Sequence, residues 1–334
     1  DGIMEFGLRR AQGPDAGIYG ARAAVIAGCV GTSNVLTGQL FGVPVKGTHA
    51  HSWIMSFPDE YTAFKTYADL YPNACILLVD TYDTLRSGVP NAIRVFKEMR
   101  EKGIDLKGYG IRLDSGDLAY LTKKARKMLD DAGFEDAIIS ASSDLDEYLI
   151  DSLKTQGAAI TSWGVGTNLI TSKDNPAFGG VYKLAAVMGD DGTFIPKIKL
   201  SENSEKITNP GNKTVYRVYD ADGMIKADLI ALADETYDES QPLLLFDPVE
   251  TWKKTLMEPG EYSMREIMVK VFDKGECVYD SPNVMDIQKY CKQEATLWDE
   301  SKRLINPQVV HVDLSQKLYD LKQELLHNYG REKL

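Results

Sequence analysis

Between residues 75 and 170 the chain repeats one pattern: a short apolar run, a polar or glycine break, then an amphipathic stretch. The runs cover residues 75–79, 109–113, 137–141 and 160–163. They end at Asp80, Asp114, Ser142-Ser143-Asp144 and Gly164-Val-Gly166-Thr167. They are too short for helices and do not alternate, which suits parallel strands covered on both faces. The stretches between them read as helices. Pro90 opens one whose Ile93, Phe96 and Met99 share a face, and Gly103 closes it. Ser115 is the expected cap of the next, with Leu118, Leu121, Ala125 and Met128 as its buried stripe and Gly133 at its end. Ser143 with Asp146 resembles a capping box before Leu145, Leu149 and Leu153, and Gly157 closes that helix. Such repetition admits few topologies. It requires right-handed crossovers and a parallel sheet or barrel, with the ligand at the C-terminal strand ends. Spacing alone therefore predicts a site at Asp80, Asp114, Ser142 and Gly164.

After about residue 180 the pattern changes to antiparallel β. Residues 181–200 read as a hairpin about Gly-Asp-Asp-Gly192, and residues 215–232 as another about Asp-Ala-Asp-Gly223. Residues 234–250 are acidic and read as a solvated loop. Leu318, Leu321 and Leu325 put a packing helix near the end. The length of 334 residues allows about two domains. The expected division is an α/β domain over 1–185 and a smaller β-rich (α+β) domain over 186–334, whose C-terminal helices return in part to the first.

Composition bounds the function. Hydrophobic residues at 43% and charged residues at 26% supply a core and exclude wholesale disorder. No apolar run approaches the roughly 20 residues that span a bilayer, so no membrane partner is expected. With 49 acidic against 38 basic residues the net charge is −11, which argues against general nucleic-acid binding. A few gathered basic residues can still bind a small anion. Cys29, Cys75, Cys277 and Cys291 lack CxxC spacing and read as reduced thiols of a cytoplasmic protein without structural zinc.

Several residues can carry chemistry. Gly47-Thr-His-Ala-His-Ser-Trp53 holds two of the four histidines. A loop histidine beside Thr and Ser can take a proton, bind phosphate or be phosphorylated, or it can simply be hydrogen-bonded. Asp80 and Asp83 at a strand end suit Mg²⁺ or ribose hydroxyls, or a helix cap. Arg112 inside a buried strand needs an anionic partner, either a ligand or Asp114. Ser115 and Gly116 would offer backbone N–H groups to a phosphate at a helix N-terminus. Gly164, Gly166 and Gly179-Gly180 allow close approach to a phosphate or simply make turns. Arg9-Arg10 near Phe6 pairs cations with an aromatic ring. No GxxxxGK[ST] is present, so no P-loop is expected.

Seven stretches, in order, resemble the nicotinate phosphoribosyltransferase family. They are Glu5-Phe-Gly-Leu-Arg-Arg-Ala-Gln-Gly-Pro-Asp15, Gly31-Thr-Ser-Asn-Val35, Gly47-Thr-His-Ala-His-Ser52, Val79-Asp-Thr-Tyr-Asp83, Ile111-Arg-Leu-Asp-Ser-Gly-Asp117, Gly164-Val-Gly-Thr167 and Gly179-Gly-Val-Tyr-Lys-Leu184. Lys199-Leu200, Glu205-Lys206 and Pro210-Gly211 extend the likeness into the β region. The resemblance implies the irregular TIM-like α/β barrel of the type II phosphoribosyltransferases with a smaller β-rich domain. It also implies a reaction: nicotinate and phosphoribosyl pyrophosphate give nicotinate mononucleotide and pyrophosphate, driven by ATP through a phosphohistidine, with Mg²⁺.

By position the phosphohistidine is His51, with His49 second. Arg112 and Asp114 match the ribose-phosphate and base site, and Asp80 and Asp83 match the ribose and Mg²⁺ end. Gly164, Gly166 and Gly180 match the 5′-phosphate loops. Phe6 matches the ring that stacks on the pyridine, with Arg9 beside it, and Ser52, Ser115, Thr167 and Gly179 fall on the substrate side. Nicotinamide-specific relatives carry Asp where Ser33 stands, and a carboxylate there repels nicotinate. The resemblance further implies a homodimer with active sites near the subunit interface. Family members begin well before the Glu5 motif, so a missing N-terminal segment is expected. Two alternatives follow: a truncated or degenerate member with little activity, or an enzyme for nicotinamide or quinolinate.

Overall fold

The computed structural model describes residues 1–202, 206–296 and 304–331. Glu205 of the β-region likeness lies outside the described residues. The chain forms two compact units, one from Asp1–Phe178 with Pro282–Lys292 and one from Gly179–Ser281 with Gln293–Leu334.

The first unit follows the strand-then-helix pattern. Its elements are β1 (Gly2–Glu5), α1 (Pro14–Ile26), β2 (Gly31–Thr32), α2 (Val35–Phe41), α3 (His51–Met55), α4 (Glu60–Leu70), β3 (Ile76–Leu78), α5 (Val89–Glu101), β4 (Gly110–Leu113), α6 (Leu118–Asp131), β5 (Ile138–Ala141), α7 (Glu147–Thr155), β6 (Ser162–Val165) and α8 (Thr167–Ile170). The six strands make one parallel sheet in the order β2-β1-β6-β5-β4-β3. The expected α/β class is therefore what the chain adopts. Among the described residues the strand ladder does not close between β2 and β3.

The register explains where polar and apolar residues go. Leu77, Ile111 and Ile139 lie side by side, as do Leu113 and Ala141, with Trp163 beside Ala141. These residues join Phe64, Phe96, Leu129 and Phe134 in the core under the helices. A side chain as large as Phe96, fully buried, contributes about 1.5–3 kcal/mol. The alternate residues point to the other face, because successive strand side chains alternate. There Leu78, Arg112, Ser140 and Ser162 form one row. A sheet face lined by Arg and Ser is poor packing material and good binding material.

The helix stops fall as expected, with Gly103, Gly133 and Gly157 all at positive φ just past their helices. Two starts do not. Asp117, not Ser115, caps α6 by accepting from Tyr120 N, because the Ser115 hydroxyl is spent elsewhere. Asp146, not Ser143, caps α7 by accepting from Leu149 N.

The second unit is built on the antiparallel strands β7 (Ala186–Met188) and β8 (Phe194–Pro196), then β9 (Lys213–Asp220) and β10 (Ile225–Leu232). It adds β11 (Leu243–Phe246), β12 (Lys254–Met257), β13 (Tyr262–Glu266), β14 (Phe272–Asp273) and β15 (Glu276–Cys277). Helix α9 (Val284–Thr296), β16 (His311–Leu314) and α10 (Gln316–Arg331) complete the described chain. Both expected hairpins are present. The acidic stretch 234–250 is not wholly a loop. It contains β11, whose Leu243, Leu245 and Phe246 are buried and which pairs with β12. The main sheet runs β13-β9-β10-β16. Pro282–Lys292, which includes the first nine residues of α9, counts with the first unit, and α10 counts with the second.

Candidate active site

The C-terminal ends of β3, β4, β5 and β6 gather the polar inner row and the residues beyond it. Asp80 is the hub. Its side chain is only 2% exposed, and its Oδ1 lies 3.1 Å from His51 Nε2. Its Oδ2 accepts from Asp114 N at 2.9 Å and from Ser115 Oγ at 2.6 Å. An ionised carboxylate only accepts, so His51 donates to it from Nε2, and in the neutral ring the lone pair is then on Nδ1. His51 is the first residue of α3 and its side chain is 38% exposed, so the ring is reachable from outside.

Arg112 is the third residue of β4. Its Nη1 donates to Ser142 Oγ at 3.0 Å and lies 3.6 Å from Asp114 Oδ1, and its Nη2 donates to His49 O at 2.8 Å. Ser142 Oγ in turn donates to Asp114 Oδ1. Arg112 Nε is buried and has no partner among the described residues. Burial holds the Arg112 pKa below the ordinary guanidinium value, against the raising effect of Asp114 and Asp80. The site thus contains a buried cation with spare hydrogen-bonding capacity.

The two histidines of the loop have different settings. His49 is 8% exposed and packs edge-on against Tyr67, with ring centroids 4.6 Å apart. Its Nε2 accepts from Leu78 N at 3.3 Å. Burial pushes its pKa down to about 4, with nearby Arg112 and His51 acting the same way and the Ala50 backbone opposing.

Phe6 reaches the same end of the sheet from β1. Its N donates to Val165 O at 2.8 Å. A Cβ built on Gly164 would lie 2.6 Å from Phe6 Cδ2 and Cε2, and one on Gly166 would lie 3.2 Å from Phe6 O. Both glycines therefore make room for Phe6 itself. Beneath it Glu5 is wholly buried. Its carboxylate accepts from Gly7 N and Thr32 Oγ1, and its backbone oxygen accepts from Ser33 N at 3.0 Å. This network ties the Phe6 turn to Ser33 at the end of β2.

The other expected residues have local settings of their own. Asp83 caps the turn Thr84–Gly88, its Oδ1 accepting from Leu85 N and Arg86 N at 3.1 and 2.9 Å. Arg9 lies exposed in the short helix Leu8–Arg10, Ser52 is exposed on α3, and Thr167 starts α8. Gly179 and Gly180 are exposed residues of the second unit. Asp80 and Asp83 are hard oxygen donors of the kind Mg²⁺ takes, but Asp80 spends both oxygens on protein donors and Asp83 spends one on its cap. That set suits a magnesium ion that keeps most of its waters. Among the described residues no group of three or more His, Cys, Asp or Glu is placed to hold a metal ion.

Sequence reasoning named Ser142 only as a strand end, yet it links Arg112 to Asp114. The signal was its place on the inward face. Ser143 and Asp144 follow at φ 105° and 41°, left-handed values that side chains adopt at a cost. Glu5 and Thr32 carried no local signal at all.

Residues 2–219 match the nicotinate phosphoribosyltransferase (NAPRTase) family, and residues 212–322 match the nicotinate phosphoribosyltransferase C-terminal domain. A nicotinate phosphoribosyltransferase of Bacillus subtilis is 49% identical over 326 residues, covering 97% of this chain and 65% of that protein. One of Dictyostelium discoideum is 37% identical, covering 98% and 62%. The crystal structure of human nicotinic acid phosphoribosyltransferase superposes with a TM-score of 0.74 at 28% identity, covering 97% of this chain and 70% of that one. The chain thus spans somewhat under two thirds of the length of the first two relatives. No described helix is long and apolar enough to cross a membrane. With the strand-end geometry and a family match over most of its length, the chain belongs to the nicotinate phosphoribosyltransferase family.

Proposed function

We propose that the protein forms nicotinate mononucleotide and pyrophosphate from nicotinate and phosphoribosyl pyrophosphate, with ATP as phosphoryl donor, in NAD synthesis. The observation that carries this reading is the incompletely satisfied Arg112, set at the strand ends where Phe6 packs on Gly164. Its spare capacity suits an anionic substrate, and the Phe6 ring suits a flat one. Breaking the bond from ribose C1 to pyrophosphate leaves positive charge on the ribose and negative charge on the leaving group. Catalysis then consists mainly of holding the pyridine nitrogen in line and neutralising the pyrophosphate. Mg²⁺ supplies part of that neutralisation when bound, and Asp80 and Asp83 would hold it.

The Asp80–His51 pair supports a phosphohistidine. His51 Nδ1 attacks the terminal phosphorus of ATP, the bond to the ADP oxygen breaks, and ADP leaves. The Nε2 proton stays on the Asp80 side throughout. Added negative charge on His51 then alters the affinity of the site for substrate and product. His49 is a poor acceptor by comparison because it is buried against Tyr67. A homodimer belongs to the same proposal, supported by the exposed Val35, Leu36 and Leu40 of α2 beside Ser33. So does a cytoplasmic location, supported by four free cysteines.

The test mixes this chain with phosphoribosyl pyrophosphate, Mg-ATP and, in turn, nicotinate, nicotinamide and quinolinate. Pyrophosphate release that depends on nicotinate above the other two is the expected result, with acid-labile phosphate on His51 by mass spectrometry. No nicotinate-dependent release would overturn the reaction. Label on His49, or an active enzyme without label, would overturn the phosphohistidine.

A further inference from the structure

The parallel sheet has an open seam between β2 and β3, and one loop crosses it. On the β2 side the loop pairs as a strand would: Thr32 bridges Val45, Thr32 N donates to Pro44 O, and Lys46 N donates to Thr32 O. On the β3 side no backbone pairing is present among the described residues. Val79 N donates to Arg112 O across the sheet, so the alternate amide, Leu78 N, faces the seam. A buried amide needs an acceptor. It finds one in His49 Nε2 at 3.3 Å. Two residues along the chain from this imidazole is His51, which meets Asp80. Two residues beyond Leu78 is Asp80 itself. The carbonyl of His49 is the acceptor for Arg112 Nη2 at 2.8 Å.

We propose that His49 is a positioning residue whose side chain replaces the missing strand pairing at the seam, holding Arg112 and the Asp80–His51 pair in register. The inference rests on the reaction proposed above for its catalytic consequence, and on the seam geometry alone for its structural one. The imidazole presents a lone pair on Nε2 because Leu78 N donates to it, which requires the neutral ring. Burial against Tyr67 and Phe64 keeps the ring neutral at ordinary pH. His49 thus does through one nitrogen what a backbone carbonyl does elsewhere in the sheet.

Two variants separate acceptor from ring. In His49→Gln the side-chain oxygen reaches about as far as Nε2 and keeps the acceptor, while the ring is lost. In His49→Phe the ring contacts remain and the acceptor is lost. Amide hydrogen exchange at Leu78, read by NMR, is compared with the thermal midpoint and with kcat/KM for nicotinate. His49→Phe is expected to speed Leu78 exchange and to lower kcat/KM by about tenfold or more each, with His49→Gln within about threefold of the parent on both. A role in ring packing only reverses the order, with Phe better than Gln, and overturns the proposal. So does Leu78 exchange in His49→Phe as slow as in the parent. If His49→Phe does not fold, Leu78 protected in His49→Gln supports the acceptor role and Leu78 unprotected overturns it. A parent chain with no nicotinate-dependent pyrophosphate release defeats the proposed reaction, and the exchange comparison still decides the seam.

Discussion

Each unit carries an arginine in the middle of a strand, and the two are satisfied in opposite ways. In the second unit Arg217 on β9 donates from Nε and Nη2 to the two oxygens of Asp228, at 2.9 and 3.0 Å. Its Nη1 donates to Glu294 at 2.7 Å, and Glu294 also receives Arg265. Hydrogen bonding to Asp228 holds the Arg217 charge more firmly than usual, despite partial burial. In the first unit Arg112 on β4 has a serine hydroxyl, a backbone carbonyl and a carboxylate 3.6 Å away, while its Nε has no partner among the described residues. Burial there holds the guanidinium pKa below the ordinary value. A fork fully matched by protein carboxylates is finished; one that donates to a hydroxyl and a carbonyl, with its carboxylate 3.6 Å away and its Nε unpaired among the described residues, keeps capacity for a ligand. The lesson is that a buried strand arginine is read by its partners, and its position alone says little.

The comparison breaks if the two arginines respond alike to removal. Arg112→Met is expected to lower kcat/KM for nicotinate about a thousandfold, roughly 4 kcal/mol of transition-state binding. Its unfolding free energy should stay near the parent value, since it removes a desolvated cation and supplies apolar volume. Arg217→Met strands Asp228 and leaves Glu294 with Arg265 alone, their side chains being 17% and 18% exposed, and should cost about 3 kcal/mol of stability. Activity per folded molecule should survive. Urea denaturation and steady-state kinetics on both variants check this. Equal stability losses would mean that Arg112 is a structural pair like Arg217.

Acid sharpens the contrast by a somewhat smaller margin. His49 faces Arg112, His51 and the Ala50 backbone, and its folded pKa is about 4 against about 6.5 when unfolded. Between those values the unfolded chain binds more protons, so stability rises with pH. The contribution is full above pH 6.5 and is lost as pH falls toward about 4, amounting to at most about 3 kcal/mol. His49→Gln lacks this titration. The stability difference between parent and variant, measured from pH 7 to pH 4.5, should therefore shift in favour of the variant on acidification. A difference that stays flat with pH would show that His49 is not held neutral.

The outward face of the first sheet was open to reading because apolar runs of four or five residues and helix stops at glycines are local features. So were Asp80, Asp114, Ser142 and Gly164, since a strand end is where a run stops. What stayed hidden depends on contacts distant in sequence. His49 and His51 are two residues apart, and only the crossing of the loop over the seam buries one and exposes the other. Ser115 looked like a cap because its attraction to Asp80, 35 residues away, leaves no trace in the local pattern. Strand β11 was lost because four apolar residues within an acidic stretch become a strand only by pairing with β12. Gly164 and Gly166 looked like phosphate loops, while their neighbour in space is a phenylalanine some 160 residues earlier.

The smallest expected effect tests whether the unspent charge of the first unit is reserved for an anionic ligand. Ser33 stands at the end of β2, half-buried, with its N donating to the backbone oxygen of Glu5 at 3.0 Å. It lies at the strand-end side of the sheet but makes no ion pair. A carboxylate introduced there adds fixed negative charge near the position expected for the pyridine substituent. It should repel nicotinate and leave the uncharged amide unhindered. Ser33→Asp is therefore expected to raise KM for nicotinate about tenfold, close to 1.4 kcal/mol, with little change in kcat. Nicotinamide should lose less, so the nicotinate-to-nicotinamide ratio of kcat/KM is expected to fall and is the quantity to measure. The matched control is Ser240→Asp on an exposed turn, which adds the same charge to the second unit. If the two variants alter nicotinate kinetics equally, the effect belongs to net charge, and the Arg112 end of the sheet is no more receptive to an anion than the closed Arg217 pair.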